Sequence, residues 1–505
     1  MRGLAAFLLL TFCVPASAIE LHPRTRVETS KGSGRYHAIA NSVDWDAKKT
    51  AVVVCDMWDK HWCPDSTKRV GEMAPRMNEV LKAARSKGML IIHCPSDTMG
   101  FYKDTPGRKL AQSAPVVKTE IPLEPWCRLD KDKEIALPID DSDGGCATPV
   151  KNYKAWSRQI ATLEIMDGDG ITDSAEAYYL MKQKGIENVI VMGVHTNMCV
   201  LGRPFAIRQL VRQGMNVVLM RDMTDTMYNP KAKPFVSHFT GTDLVVEHIE
   251  RHWCPSITSS DFLGGAEFRF PDDKRPSLVM LIGEDEYKTE TTLPEFAATE
   301  LGKYLRVSFV FSDDKKLNEF PGAEAIKNAD ALLISVRRRA MPKVHLDLIR
   351  QHIAMGKPII GIRTASHAFE PKTLDKNAGQ DQWVDFDGEV LGGNYTGHHG
   401  ANIPTFAIID AEIKHPILTG IAPGEWKVGS SLYKSAPLKS KAVPIAFGRA
   451  EKVEAKEPIA WTYTSDGNGR VFYTSLGHVD DFKIPGFRKL LRNGILWAVN
   501  VPIPE

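Results

Sequence analysis

Residues 188–226, NVIVMGVHTNMCVLGRPFAIRQLVRQGMNVVLMRDMTDT, limit what this chain can fold into more than any other stretch. An apolar run rich in Val and Ile ends abruptly at the polar turn His195-Thr196-Asn197, as a buried parallel strand does. Val200, Ile207, Leu210 and Val211 then fall at helical spacing as far as Gly214, and residues 216–220 are apolar again. Strand, sharp turn, helix, glycine stop and strand make a βαβ unit. Cys199 stands where the strand gives way to the helix. Open α/β sheets bind ligands at that end of a strand, and a helix N-terminus favours a thiolate. A lone cysteine near a strand end is more often packing, so position alone does not assign it a role.

A chain of 505 residues exceeds what one core supports, so two or more domains are expected. With 43% hydrophobic and 25% charged residues it is ordinary globular protein, and a net charge of +2 gives no reason to expect nucleic acid. Arg2, an apolar run over residues 4–14 and Ala16-Ser17-Ala18 read as a cleavable secretory signal at 1–18, followed by a polar N-terminal arm at 19–48. No later segment approaches about 20 uninterrupted apolar residues, so no membrane span is expected, and the protein should be exported, periplasmic or secreted. Export permits disulfides. After Cys13 in the signal come Cys55, Cys63, Cys94, Cys127, Cys146, Cys199 and Cys254, and none beyond. An odd number leaves at least one thiol free, and the break near Cys254 suggests two domains of separate origin.

Upstream of the βαβ unit, residues 50–55 (TAVVVC) form a buried strand that delivers Asp56 at its carboxyl end. An amphipathic helix over 73–87 and a strand over 89–93 continue the doubly wound pattern. Residues 97–149 are long, polar and rich in Pro and Asp, with Trp126 and Gly144-Gly145 inside, a length that points to a site or a partner. The run Gly193-Val-His-Thr-Asn-Met-Cys199-Val200 resembles the G-x-x-T-x-x-C-V signature of the isochorismatase-like cysteine hydrolases, the nicotinamidase and amidase superfamily. Asp56 ending the first strand and the Gly185-Ile186 turn before the cysteine strand fit the same plan, and the likeness spans residues 50–252. It implies a hydrolase of amide C–N bonds in which Cys199 attacks the carbonyl carbon and Asp56 accepts and returns a proton. It also implies an oxyanion hole from the backbone amides of His195 and Cys199, and a cis peptide between Val194 and His195. Such chemistry needs a deprotonated thiol and a protonated leaving amine.

One departure concerns the lysine that helps activate the thiol in that family. Its place falls in residues 161–167, ATLEIMD, which hold no lysine; Glu164 or Asp167 stands there, and a carboxylate would raise a thiol pKa. Three explanations stay open: Lys151, Lys154 or Arg158 reaches in, a metal is held by Asp56 and Glu164, or the hydrolase is inactive. No cofactor is expected, and a divalent metal is not supported by spacing. The segment Cys55-Asp56-Met-Trp-Asp59-Lys60-His61-Trp62-Cys63 offers metal donors, but His93-Cys94-Pro-Ser-Asp97 lacks the family's metal spacing. Asp59, His61, Trp62, Thr196 and Asn197 are therefore read as pocket residues. His238, His248 and His252 read as structural.

Residues 255–275 have a linker's composition. Strands then recur at 278–282, 306–311, 331–336 and 358–362, with helices at 292–301 and 344–355 between them. Gly283-Glu-Asp-Glu-Tyr287, DFDGEVLGGNYTGHHG (385–400), HPILTGI (415–421), SLY (431–433) and VFYTSLGH (471–478), followed by a helical pattern over 487–499, resemble the trehalose-utilisation-like domains, which share the class I glutamine amidotransferase fold. In that fold a cysteine sits at a strand-to-helix elbow. Here the turn is Gly361-Ile-Arg363-Thr364-Ala-Ser366-His367 and the domain has no cysteine, which excludes glutaminase chemistry by that route. His367, His398, His399 and His478 are candidates to converge on a polar ligand, a sugar or a metal, against the alternative of scattered structural histidines.

The expected architecture is thus α/β: two doubly wound, three-layer αβα domains on mostly parallel sheets, at 49–254 and 276–505. The expected function is an exported cysteine hydrolase of a small amide, its second domain serving ligand binding, specificity or a homo-oligomer surface. The alternative is a binding protein on a degenerate hydrolase fold, linked to carbohydrate use. Either way the partner is a small amide or sugar-related ligand. A cation beside the Cys199 sulfur supports the enzyme, and a carboxylate alone supports the binder.

Overall fold

A computed structural model describes residues 18–400 and 402–505, so the expected signal, Ala18 apart, lies outside the described residues. The chain divides into two compact units, one built on Ala40–Ala232 and Gly241–Asp273, the other chiefly on Lys274–Glu505. No helix among the described residues is long and apolar enough to cross a membrane.

The arm expected at 19–48 is β-structured. Ala18–Leu21 pairs antiparallel with Val43–Asp46, burying Ile19 and Leu21 on one face as strand alternation dictates. In the first unit six parallel strands lie in the order Ser256–Ile257, Asn216–Asp225, Asn188–Val194, Thr50–Cys55, Leu90–Cys94, Gly170–Ile171. The two central strands are buried along their whole length, as strands covered on both faces must be. From this central pair the chain winds outward in opposite directions, which makes the ends of Thr50–Cys55 and Asn188–Val194 the topological switch point.

Several boundaries differ from the expected ones. The helix expected at 73–87 runs Pro64–Ser86, with Pro64 in its first turn, and passes through Pro75 without ending. The single helix expected after Cys199 is two, Cys199–Gly202 and Ile207–Arg212. Pro204 is the cause: it pushes Arg203 into extended backbone (ψ 157°) and stops the first helix after one turn. The linker expected at 255–275 belongs largely to the first unit. Ser256–Ile257 joins the sheet, the Asp222 carboxylate accepts the Ser259 and Phe268 amides, and Arg76 donates to Ser259 and the Ala266 carbonyl.

In the second unit, Arg306–Phe311, Ser277–Gly283, Ala331–Val336, Ile359–Ile362 and Arg470–Thr474 form a parallel core in that order. Four antiparallel strands extend one side: Lys456–Thr464, Val443–Ala450, Thr405–Ile409 and Gly424–Val428. Helices Thr289–Phe296, Lys343–Ala354 and Pro485–Ala498 accompany the sheet. Both units are α/β, and the antiparallel strands add a wing to the expected parallel core.

Candidate active site

Cys199 opens the one-turn helix Cys199–Gly202 directly beyond the strand Asn188–Val194 and is 7% exposed. As the first residue of that helix, its backbone N–H has no intrahelical acceptor. The peptide Val194–His195 is cis, as the resemblance implies. Gly193 allows the turn to sit close to the neighbouring strand: its φ is +109°, and a Cβ there would lie 2.0 Å from the Cys55 carbonyl oxygen. That approach brings Asp56 beside the cysteine turn. Asp56 is fully buried in left-handed backbone (φ 46°), its N–H donating to the Cys94 carbonyl and its Oδ1 accepting the Ser96 N–H at 2.7 Å.

The cation is Arg203. Its Nε stands 3.4 Å from Asp56 Oδ2, and both groups act electrostatically on the Cys199 thiol. Burial pushes the Cys199 thiol well above its ordinary value, Asp56 adds to this, and Arg203 opposes it. Burial also raises the Asp56 carboxyl, against the pull of Arg203, Cys199 and Ser96. For Arg203, burial works against the charge, but Asp56, Cys199 and Cys55 outweigh it and hold the guanidinium charged. Asp56 Oδ2 and Arg203 Nε are both buried with no hydrogen-bond partner. A neutral thiol beside a carboxylate–guanidinium pair can pass its proton to the carboxylate with no change in net charge.

The structure does not bring Glu164 to this thiol. Its carboxylate is half exposed, ion-paired with Lys82 at 3.2 Å and bound by Asn78 Nδ2 at 3.1 Å. Nor do the other proposed cations reach it: Lys151 is exposed, Lys154 donates to the Asp97 carbonyl, and Arg158 lies over the Phe101 ring. Arg203 was legible in principle. It stands four residues after Cys199, just past the end of the one-turn helix, and the following proline sets its backbone.

His61 packs edge-on against His195 at 5.0 Å and tilts against Trp62 at 5.2 Å, while Trp58 and Trp156 stack at 4.4 Å beside it. Burial, with Arg69, pushes the His61 imidazole down to about 4, so it is neutral at physiological pH. His195 Nε2 and Ser66 Oγ share a hydrogen bond of 2.7 Å. Asp59 acts as an anchor, accepting the Ser157 N–H and hydroxyl and the Arg158 N–H. Thr196 fixes the turn through its N–H to the Asp225 carbonyl and its hydroxyl to Thr224. Asn197 Oδ1 accepts the Met227 N–H, and its Nδ2 donates to the Met227 carbonyl and to Asp141.

Cys63 and Cys146 form a disulfide, leaving Cys55, Cys94, Cys127, Cys199 and Cys254 as buried free thiols. Cys63, Asp65 and Cys146 bring donor atoms within 4.8 Å of one another, but two of the three are consumed by that bond.

In the second unit the elbow after Ile359–Ile362 holds Arg363, 1% exposed with φ 43°. Its guanidinium lies between the Tyr287 and Tyr433 rings at 4.2 and 4.5 Å and donates to the Ser475 carbonyl and the Ser431 hydroxyl. Tyrosines connect the predicted histidines around it: His367 stacks on Tyr395 at 4.7 Å, His398 lies 6.4 Å from Tyr433, and His478 5.8 Å from Tyr287. His399 instead gives its N–H to the Leu432 carbonyl. Burial pushes His367 down to about 3, with Arg338, Arg337, Arg363 and His398 adding to the effect. The imidazoles interleave with rings, an arrangement suited to a flat polar ligand.

Residues 279–498 match the family model described as ThuA, trehalose utilisation. A comparison with curated proteins finds no match. Among solved structures, the chain is similar to a ThuA-like protein from Parabacteroides merdae, at 14% identity over 46% of this chain and 93% of that one, with a TM-score of 0.33. It is similar to a cysteine hydrolase from Pseudomonas syringae at 17% identity over 43% and 92% of the two chains, TM-score 0.28. It is also similar to an isochorismatase family protein from Burkholderia thailandensis at 15% identity over 42% and 93%, TM-score 0.25.

Proposed function

We propose that the protein is an exported cysteine hydrolase of a C–N bond in a small neutral amide, with Cys199 as nucleophile, Asp56 as proton carrier and Arg203 as the activating cation. The observation that carries this reading is the ion pair between the buried Asp56 carboxylate and the half-buried Arg203 guanidinium, both of which act on the Cys199 thiol. Asp56 takes the thiol proton as sulfur attacks the carbonyl carbon. The backbone N–H groups of His195 and Cys199 receive the oxyanion. Asp56 then returns the proton to the leaving nitrogen, the C–N bond breaks, and a thioester on Cys199 remains. A water molecule, giving its proton to Asp56, attacks the thioester, and the acid leaves as the thiol reforms. Arg203 offsets the charge on whichever partner holds it, and no cofactor is required.

A cation beside the sulfur favours this reading over a binding protein without chemistry, because opposite charge stabilises the thiolate. For the second domain, the trehalose-utilisation match and the Tyr395–His367 stack support a sugar-related ligand at the carboxyl ends of its parallel strands. Intact-mass measurement after incubation with p-nitrophenyl esters of small acids tests the hydrolase. An acyl adduct on Cys199, absent from Cys199→Ala, is the expected outcome; turnover of such esters by Cys199→Ala at the wild-type rate would sink it.

A further inference from the structure

Between the helix Pro106–Gln112 and the short strand Gly170–Ile171 the chain forms no helix or extended strand, yet its contacts are built and specific. One part, residues 140–148, lies against the cysteine turn. Asp141 Oδ2 accepts Asn197 Nδ2 at 2.7 Å, and Asp143 Oδ2 accepts Asn229 Nδ2 at 2.7 Å. A Cβ on Gly145 would lie 2.4 Å from the Met227 carbonyl oxygen, and Gly144 rests against the Trp62 ring. Asn197 brackets Met227 through both its amide atoms, so Asp141 holds the outer side of the turn that begins at His195. Two ties secure this strap to the start of the helix Pro64–Ser86: the Thr148 hydroxyl to Asp65 at 2.9 Å, and the disulfide from Cys146 to Cys63, the residue capping that helix. The Cys63 N–H donates to His61 Nδ1, and the His61 ring faces His195. Both ends of the disulfide therefore lead to the same turn.

We propose that Cys63–Cys146 is a redox latch that positions this turn, and hence its oxyanion-binding N–H groups, through Asp141 and Asn197. The proposal rests on the reading of Cys199 as nucleophile. Opening the latch needs a dithiol reductant. Its first thiolate attacks one sulfur of the Cys63–Cys146 bond and forms a mixed disulfide. Its second thiol then closes to a cyclic disulfide, so that two protein thiols and one oxidised dithiol result. With the covalent tie gone, the strap keeps only its hydrogen bonds, and the turn loses its outer support.

Two reactions of Cys199 separate positioning from loss of the nucleophile. Acylation by a p-nitrophenyl ester passes through an oxyanion; alkylation by iodoacetamide does not. In the full-length protein reduced with dithiothreitol and desalted, and in C63S/C146S, acylation should fall about tenfold, the scale of a misplaced catalytic group, while alkylation stays within about twofold. Asp141→Ala, with the disulfide intact, should move the same way, and Asp141→Glu should recover part of the rate. Near-UV circular dichroism establishes that each variant is folded, and if C63S/C146S does not fold, the reduced protein and Asp141→Ala carry the test. Acylation unchanged by reduction and by Asp141→Ala would overturn the latch, as would an equal fall in both reactions. A latched protein whose Cys199 reacts with neither reagent would instead overturn the nucleophile reading.

Discussion

Arg203 is the side chain on which the proposed chemistry of this site most depends. The Cys199 thiol is raised by burial and by Asp56, and the guanidinium is the one group acting on it that is always charged and opposes them both. Replacing it, as in Arg203→Met, should lower acylation of Cys199 about a hundredfold, in line with the loss of one preorganised electrostatic partner. It should also leave Asp56 buried without a counter-charge and cost about 3–5 kcal/mol of stability in urea titration. Sequence singled out Asp56 because it directly follows a buried strand, and Cys199 because it opens the helix beyond the next one. Glu164 was misjudged because the family's lysine was sought in its own segment, whereas the cation enters from the far side of the cysteine, held there by Pro204.

At the scale of elements, the long segment after residue 112 is held by one buried ion cluster as well as by its disulfide. Glu134 accepts His248 Nε2 at 2.7 Å and Trp253 Nε1 at 2.9 Å, and pairs with Arg208 Nε at 2.8 Å. Burial works against its charge, but these partners prevail and pull the carboxyl down to about 2. A carboxyl depressed on folding stabilises fully above its unfolded value of about 4.5, and that contribution is lost as pH falls through about 2. Glu134→Gln should therefore cost about 3 kcal/mol near neutrality, read by urea denaturation, with the difference from wild type shrinking below about pH 4. Sequence showed that this segment was long and polar, but not which cysteines close it, because pairing depends on distances that only the fold supplies. The four antiparallel strands of the second unit were missed for a related reason: a strand such as Gly424–Val428 is partly exposed and gives no continuous apolar run.

Across the whole molecule, burial leaves imidazoles neutral in both units. His61 and His352 lie at about 4 and His367 at about 3, each pushed down chiefly by burial. A histidine lowered on folding binds its proton more readily in the unfolded chain, so stability falls as pH drops below about 6.5 and stops falling on its account near the folded value. Each contributes about 1.4 kcal/mol per pH unit within its window. Urea midpoints measured from pH 7 to 4.5 should decline throughout, and the triple substitution H61Q/H352Q/H367Q should flatten the slope; an equally steep slope in that variant would refute this origin. The doubly wound α/β character of both units was readable from their buried strands. The proposed hydrolase activity turns on the pair formed by Cys199 and Asp56, and its most direct test is the rate of Cys199 alkylation by iodoacetamide against pH, in wild type and in Asp56→Asn. Proton transfer within the pair predicts reaction at about pH 6 and a plateau through neutrality, lost in Asp56→Asn. A wild-type rate that climbs tenfold per unit up to about pH 8.5 and is unchanged by Asp56→Asn, as for an ordinary thiol, would contradict it.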